Sequence, residues 1–140
     1  MIKLNLFHPE ILEAIAGNGH GAKVLIADGN FPISTKTPPA CKKVFLNLAP
    51  DLLTVTAVLK VIKEYVPIES YSVMATPDET DQPIHQEFRK ILGTDISLQK
   101  LKRAEFYQAS ADEEVCLAIA TGETRRFANI LLVIGVVIPG

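Results

Sequence analysis

The sequence predicts an α/β fold, a single domain in which a sheet of parallel or mixed strands is sandwiched between helices. Segments with helical spacing alternate along the chain with short apolar runs. The apolar runs lack polar alternation, which is typical of strands covered on both faces. With 140 residues and 48% hydrophobic composition, the chain can bury a proper core. We therefore expect one domain over residues 1–140, without a linker or an internal repeat.

The first predicted helix lies near the N-terminus, in the segment "HPEILEAIAG". Pro9 suits the first turn of a helix, because the N–H group that proline lacks would be unpaired there in any case. Ile11, Leu12 and Ile15 share one helical face, and Gly17 ends the pattern. The segment is therefore predicted to be a short amphipathic helix.

The first predicted strand, "KVLIA", follows this helix and is a short apolar run rich in strand formers. The next segment, "GNFPISTKTPPACKK", contains prolines and small polar residues that disfavour regular structure. Long irregular loops inside small domains often carry function. This loop is accordingly a candidate part of a binding site.

Two further helices and two further strands follow from the apolar pattern. The segment "PDLLTVTAVLKVIKEYV" has apolar residues at helical spacing, namely Leu52, Val55, Leu59, Ile62 and Val66. The segment "PIHQEFRKILG" does so with Ile84, Phe88 and Ile91. Both are predicted to cover the sheet, whose other strands are expected in "VCLAIA" and "NILLVIGVV".

Charge and hydropathy exclude several classes of partner. The 14 basic and 16 acidic side chains give a net charge of −2, so there is no basic surplus to neutralise a nucleic-acid backbone. The longest apolar run spans 130–138, whereas a membrane-spanning helix needs roughly 20 apolar residues. The N-terminus lacks the long apolar core of a secretory signal. We expect no nucleic-acid partner, no membrane partner and a cytoplasmic location.

The stretch "GNGHGAKVLIADGNFP" draws attention to His20 and Asp28. A glycine-rich phosphate cradle follows a strand and opens a helix, but here the glycines end a helix and precede a strand, so nucleotide binding is not expected. The glycines permit unusual backbone dihedrals and predict a tight loop around His20. Asp28 follows a strand, where open α/β sheets place their ligands. An equally weighted alternative is that Asp28 caps the next turn.

Three segments, "NGHGAKVLIADGNFP", "RAEFYQAS" and "ATGETRRFANILLVIGV", together resemble the family of ribose pyranases and fucose mutarotases. The motifs match in order over nearly the whole chain, although the match is weak between about 35 and 97. The residues His20, Gly21, Arg103, Phe106 and Tyr107 match the fucose branch. The resemblance implies a sugar mutarotase-like domain, an isomerase that interconverts the anomers of a monosaccharide.

The resemblance also implies a site. Opening a sugar ring requires one acid and one base but neither a metal nor a cofactor, and a histidine with a pKa near 6.5 can exchange protons at neutral pH. His20 is implied as the proton donor. The residues implied to bind the sugar are Asp28, Arg103, Phe127, Ala128 and Asn129. For Arg103 the residues alone leave a second interpretation open, a solvated member of the charged group "KLKR".

The chain departs from the family in one motif. Where the family usually has Tyr-Gly-Asn, this chain has Phe127, Ala128 and Asn129, so a phenolic hydroxyl is missing. A site that binds a hydroxyl discriminates strongly, so this loss is expected to alter substrate choice or rate. A non-catalytic sugar-binding protein and a ribose pyranase remain as alternatives. The preceding Arg125 and Arg126 either favour an anionic or phosphorylated sugar or are simply solvated.

Strand geometry raises the question of a shared site. If "AKVLIA" is a strand, the Cα atoms of His20 and Asp28 are on the order of 20 Å apart, at roughly 3.3 Å per residue. One sugar cannot bridge that distance. Either the loop with His20 folds back, or each site combines His20 of one chain with Asp28 of its neighbour. The resemblance implies a ring-shaped homo-oligomer based on pentamers, either a pentamer or a decamer.

Overall fold

The computed structural model describes residues 1–140 as four helices and one six-stranded mixed sheet, which confirms the predicted α/β class. The helices are α1 (Pro9–Gly17), α2 (Val55–Lys63), α3 (Pro83–Leu92) and α4 (Arg103–Ser110). The strands are β1 (Lys23–Ala27), β2 (Lys42–Phe45), β3 (Ile68–Met74), β4 (Ser97–Leu101), β5 (Val115–Ala120) and β6 (Ile130–Ile134). None of the helices has the length and apolar character needed to cross a membrane.

The sheet has the strand order β2-β5-β1-β6-β3-β4. Only β6 runs antiparallel to its two neighbours, and the other pairings are parallel. Ile130, the first residue of β6, therefore pairs with Ile26 near the end of β1 and with Val73 near the end of β3. As a result, β6 begins at the end of the sheet at which the other strands finish.

Both faces of the sheet are buried, as the unbroken apolar runs predict. Along β1, Val24 and Ile26 belong to a core cluster of 22 residues, which also contains buried side chains of α1, α2 and α3. Leu25 and Ala27 point into a second cluster of nine residues, which contains Phe106 of α4. The alternation places three helices on one face of the sheet and α4 on the other.

The second helix is shorter than its apolar pattern predicts. It begins at Val55 because the hydroxyl of Thr54 accepts a hydrogen bond from the N–H of Ala57 at 3.2 Å and caps the helix there. Leu52 and Leu53 lie outside the helix and are about half exposed. The expected helix over the whole of "PDLLTVTAVLKVIKEYV" was therefore wrong in its first turn, and it was also wrong at its end, since α2 stops at Lys63 and Val66 lies outside it.

Three strands and one helix were not predicted. The strands β2 and β4 lie at the two edges of the sheet, where lysines and other polar residues protect against further pairing and hide the strand pattern. The remaining two elements are β3 and α4. The loop expected over "GNFPISTKTPPACKK" ends in β2, which starts at Lys42.

Gly122 is the glycine whose replacement should be least tolerated. A Cβ atom at this position would lie 2.2 Å from the carbonyl oxygen of Ala49 and 2.9 Å from that of Leu52. We predict that Gly122→Ala lowers the free energy of unfolding by about 1–3 kcal/mol, because the added methyl group would clash with these two backbone oxygens and force the backbone to shift. The matched control is Gly19→Ala, since no atom lies within 4 Å of a Cβ atom there. Urea denaturation of both variants measures the difference, and equal stability losses would contradict the prediction.

Candidate functional site

A cavity of about 290 Å³ opens at the end of the sheet at which β1 and β3 finish and β6 begins. Its volume is near the lower end of small-molecule sites, which span roughly 300–1,000 Å³. The lining residues are Asp28, Asn30, Phe31, Met74, Arg103, Tyr107, Arg126, Phe127 and Asn129. The chain contains no cluster of three or more His, Cys, Asp or Glu side chains arranged to hold a metal ion.

The topology of the sheet brings these residues together. Asp28 directly follows β1, Met74 is the last residue of β3, and Asn129 directly precedes β6. They meet at the same end of the sheet because β6 runs antiparallel to its neighbours. Arg103 begins α4, and Tyr107 lies four residues later on the same helical face. The cavity thus lies between strand ends and α4.

The carboxylate of Asp28 both shapes the backbone and faces the cavity. Its side chain is buried and accepts a hydrogen bond from the N–H of Asn30 at 3.0 Å. Burial raises the pKa of the Asp28 carboxyl above its ordinary value, backbone N–H donors including those of Asn30 and Ala128 partly offset this rise, and the nearby charge of Glu123 adds to it. Asp28 therefore both caps the turn and lines the cavity, so the two interpretations are compatible.

Asn129 and Ala128 support Asp28 in different ways. The side-chain oxygen of Asn129 accepts a hydrogen bond from the backbone N–H of Asp28 at 2.7 Å. The amide NH₂ group of Asn129 is therefore the part left to donate to a ligand. Ala128 does not line the cavity, because its methyl group is fully buried in the larger core cluster.

Phe127 has an unusual backbone that His85 holds in place. Its φ of 59° lies in the left-handed region, which bulky residues rarely adopt. The Nε2 atom of the buried His85 lies 2.9 Å from the carbonyl oxygen of Phe127 and donates to it. Burial lowers the pKa of His85, and the hydrogen bond to Phe127 opposes that effect only in part. The histidine of α3 thus supports the wall of the cavity in its neutral form.

Arg125 belongs to a structural network. Its Nε and Nη2 atoms donate to the two carboxylate oxygens of Glu123 at 2.9 and 3.0 Å, and it also pairs with Glu87. Glu123 is almost fully buried and accepts a further hydrogen bond from the N–H of Val55, the first residue of α2, at 3.1 Å. Burial pushes the pKa of Glu123 upward, but the hydrogen bonds from Arg125 and Val55 outweigh it, and the pKa is lowered. Arg125 is consequently directed away from the cavity.

Arg126 is directed differently from its neighbour. It is exposed, lines the cavity, and places its guanidinium carbon 5.5 Å from the centre of the Phe127 ring. A guanidinium stacked on an aromatic ring keeps its N–H donors free at the edge of its plane. Its donors are therefore available to a ligand in the cavity.

His20 lies far from this cavity within the same chain. It precedes β1, and its Nε2 atom is 2.9 Å from a carboxylate oxygen of Glu69 near the start of β3. Gly21 has a φ of 87° and donates its N–H to the carbonyl oxygen of Ile134, the last residue of β6. The loop is thereby fixed at the opposite end of the strands and does not fold back toward Asp28.

The structure therefore groups some of the sequence-predicted residues and separates others. Those that line the cavity are Asp28, Arg103, Phe127 and Asn129, whereas His20 and Ala128 do not. The sequence did not assign Asn30, Phe31 or Met74 to the site. A signal for Phe31 existed in the Asp-x-x-Phe-Pro motif, and its ring packs edge-on against Tyr107 at 5.7 Å.

The chain is similar to known proteins over nearly its whole length. A model described as the RbsD / FucU transport protein family matches residues 1–137. A protein named fucose mutarotase from Homo sapiens is 31% identical over 144 aligned positions, which cover 94% of this chain and 90% of the relative. A fucose mutarotase from Danio rerio is 28% identical over 94% of this chain and 90% of the relative.

Solved structures share the fold. The structure of Bacillus subtilis RbsD complexed with D-ribose has a TM-score of 0.85 at 24% identity and covers 99% of this chain and 100% of that chain. The fucose mutarotase in complex with L-fucose from Streptococcus pneumoniae has a TM-score of 0.82 at 27% identity, with the same coverage. Both similarities extend over the strands and loops that form the cavity.

The lowered pKa of His85 predicts a pH dependence of stability. Below about pH 6.5 the unfolded chain binds a proton at this residue while the folded chain resists it, so the free energy of unfolding falls as the pH decreases toward the lower folded pKa. The slope is at most about 1.4 kcal/mol per pH unit. The variant His85→Gln keeps a donor for Phe127 but cannot titrate, so its slope between pH 7 and 5 should be shallower. Urea unfolding at several pH values measures both slopes, and identical slopes would refute the prediction.

Proposed function

We propose, since the chain belongs to the RbsD / FucU transport protein family, that it is a cofactor-independent mutarotase that interconverts the anomers of a fucose-like aldose. The observation that carries the proposal is the cavity at the strand ends. There a carboxylate, a guanidinium and an amide from Asp28, Arg103 and Asn129 face a space suited to one small ligand. The similarity to proteins named fucose mutarotase over 94% of the chain supports the same activity.

The reaction needs only proton transfers. A base removes the proton of the anomeric hydroxyl while the bond between the anomeric carbon and the ring oxygen breaks. The electron pair of that bond goes to the ring oxygen, which takes a proton from an acid, and a carbonyl group forms. Rotation and ring closure on the other face give the second anomer. Positioned acids and bases typically contribute about 10²–10⁴-fold each, and His20 is proposed as the proton donor.

We further propose that His20 reaches the cavity from a neighbouring chain. Within one chain it lies at the end of β1 opposite to Asp28, and its side chain is 58% exposed. The Nε2 atom of the imidazole is paired with Glu69, so its Nδ1 atom is the part left for a neighbouring molecule. The proposed site therefore combines the cavity of one subunit with the glycine-flanked loop of the next.

Exposed apolar side chains at both ends of the strands support such an assembly. At the end with the cavity, Phe45 is the last residue of β2 and is followed by the exposed Leu48 and Leu52. At the end with His20, Val137 and Ile138 follow β6 and are also exposed. Apolar patches of this kind mark interfaces. Two different patches on one chain fit a heterologous, head-to-tail contact, which closes into a ring when the rotation permits. A homo-oligomeric ring is thus part of the proposal, together with the cytoplasmic location expected from the sequence.

The second candidate function is a non-catalytic sugar-binding protein. Phe127 favours it, because this residue lines the cavity without the hydroxyl that the family usually supplies there. The two candidates differ in His20, since binding alone does not require a proton donor. Anomer exchange is therefore the deciding measurement.

The first test of the proposed function is direct. Saturation-transfer NMR on a panel of aldoses should show faster anomer exchange when the protein is added, with L-fucose among the sugars. The rate should persist in the presence of a chelator, because the acid and base are side chains. If sugars bind without any increase in exchange, the non-catalytic candidate is correct; loss of exchange with chelator and recovery with zinc would overturn the acid/base mechanism.

The second test concerns the shared site. His20→Ala and Asp28→Asn should each be inactive as pure proteins, and co-refolding them should restore activity. In a randomly mixed head-to-tail ring about a quarter of the sites combine an intact His20 with an intact Asp28. Native mass spectrometry verifies that the chains have mixed, and the double variant mixed with either single variant is the control. Proven mixing without regained activity would mean that the site does not combine these two residues from different chains.

A further inference from the structure

The charged side chains that line the cavity do not balance. Two guanidinium groups, those of Arg103 and Arg126, face one carboxylate, that of Asp28. Neither arginine forms an ion pair with an acidic group of the chain. Lys36 adds a further positive charge beside the cavity, since its Nζ atom lies 5.3 Å from the centre of the Tyr107 ring. The cavity therefore has a surplus of positive charge.

The contrast with Arg125 shows that Arg126 is not neutralised by the fold. Arg125 is engaged by the carboxylates of Glu123 and Glu87, so its charge is balanced within the chain. Arg126, one position later, has no such partner and lines the cavity. Only the second arginine of the pair is thus available to a ligand.

Near Arg126 the hydrogen-bonding groups of the cavity are mainly donors, whereas Asn30 and Tyr107, which also line it, can donate or accept. A guanidinium has only donors, and the ring of Phe127 beneath Arg126 offers no polar atom. The side-chain oxygen of Asn129 is already occupied by the N–H of Asp28, which leaves the donors of its NH₂ group. A ligand group that is negatively charged and only accepts hydrogen bonds complements such a wall. Carboxylate and phosphate groups have these properties.

We propose that the natural ligand is an anionic aldose, and that Arg126, together with Arg103, binds its carboxylate or phosphate group. This inference rests on the proposed function, because a mutarotase requires a free hydroxyl at the anomeric carbon. The negative group must therefore be attached to a carbon other than the anomeric one. Asp28 and Asn129 then remain for the neutral hydroxyls.

The experiment compares matched pairs of neutral and charged sugars. The pairs are L-fucose with L-galacturonate, D-galactose with D-galacturonate, and D-ribose with D-ribose 5-phosphate, so carboxylate and phosphate are tested separately. Anomer exchange is measured by saturation-transfer NMR for the wild type and for Arg126→Gln, Arg126→Lys and Lys90→Gln. Lys90 is an exposed lysine of α3 that does not line the cavity, so its variant controls for the loss of one surface charge.

The wild type should prefer the charged member of at least one pair by about tenfold or more in kcat/KM, as expected for a charge-assisted hydrogen bond. Arg126→Gln should reduce this ratio by about tenfold, Arg126→Lys should restore part of it, and Lys90→Gln should keep the wild-type ratio. If the neutral member of every pair reacts as well as the charged one, the inference is wrong although the proposed function stands. It is also wrong if Arg126→Gln slows both members of a pair equally.

A complete lack of exchange with all six sugars would refute the proposed function but still leave a decision on the inference. Calorimetric titration with the same charged sugars then replaces the rate as the readout. Binding by the wild type that is weakened at least about tenfold in Arg126→Gln supports an anionic ligand. No binding, or equal binding by both proteins, overturns it.

Discussion

The rest of the structure depends on the buried carboxylate of Glu123. Its side chain receives Arg125 and the N–H of Val55 at the start of α2, while its backbone carbonyl accepts the N–H of Gly29 after β1. One residue thus fixes the beginning of a helix and the end of a strand. Removal of one partner of a buried ion pair typically costs about 3–5 kcal/mol, and the 40% exposure of Arg125 reduces this cost by solvent screening.

The position of Glu123 matters because of the path of the chain from β5 to β6. These strands are not neighbours in the sheet, since β1 lies between them. The connection, residues 121–129, therefore crosses the end of β1. Along this path it contacts Asp28 through the side chain of Asn129 and adopts the left-handed backbone of Phe127, which His85 supports. The cavity exists because this hydrogen-bonded connection passes over a strand end that carries a carboxylate.

The sequence carries much of this fold but less of the site. Central strands are recognisable from unbroken apolar runs, whereas the edge strands β2 and β4 contain lysines that are needed against edge-to-edge pairing and that hide the pattern. Asp28 was placed correctly at a strand end because that position follows from local pattern. Met74 was missed because its strand mixes polar and apolar residues. The sequence left open whether the loop with His20 folds back toward Asp28; the structure places it at the opposite end of the strands, and what it contacts in an assembly depends on another chain.

Identical neighbouring residues are a further limit on inference from sequence. Arg125 and Arg126 cannot be distinguished by composition or motif, and only the positions of Glu123 and Glu87 show which one is neutralised. A prediction of site charge from the sequence alone would count both or neither. The structure separates them by the direction in which each leaves the connection.

This separation has a consequence for how such a protein can diverge. A substitution at position 125 leaves two carboxylates without their shared cation, so it is expected to lower the free energy of unfolding. At codon 126 the side chain is exposed and has no acidic partner, and a substitution there leaves the core, the helix start and the strand register untouched. Because proteins lie only slightly above the stability threshold that selection imposes, positions of the second kind are where new ligand preferences arise by single steps. Two adjacent positions in this chain are therefore expected to differ in how strongly stability limits their substitution.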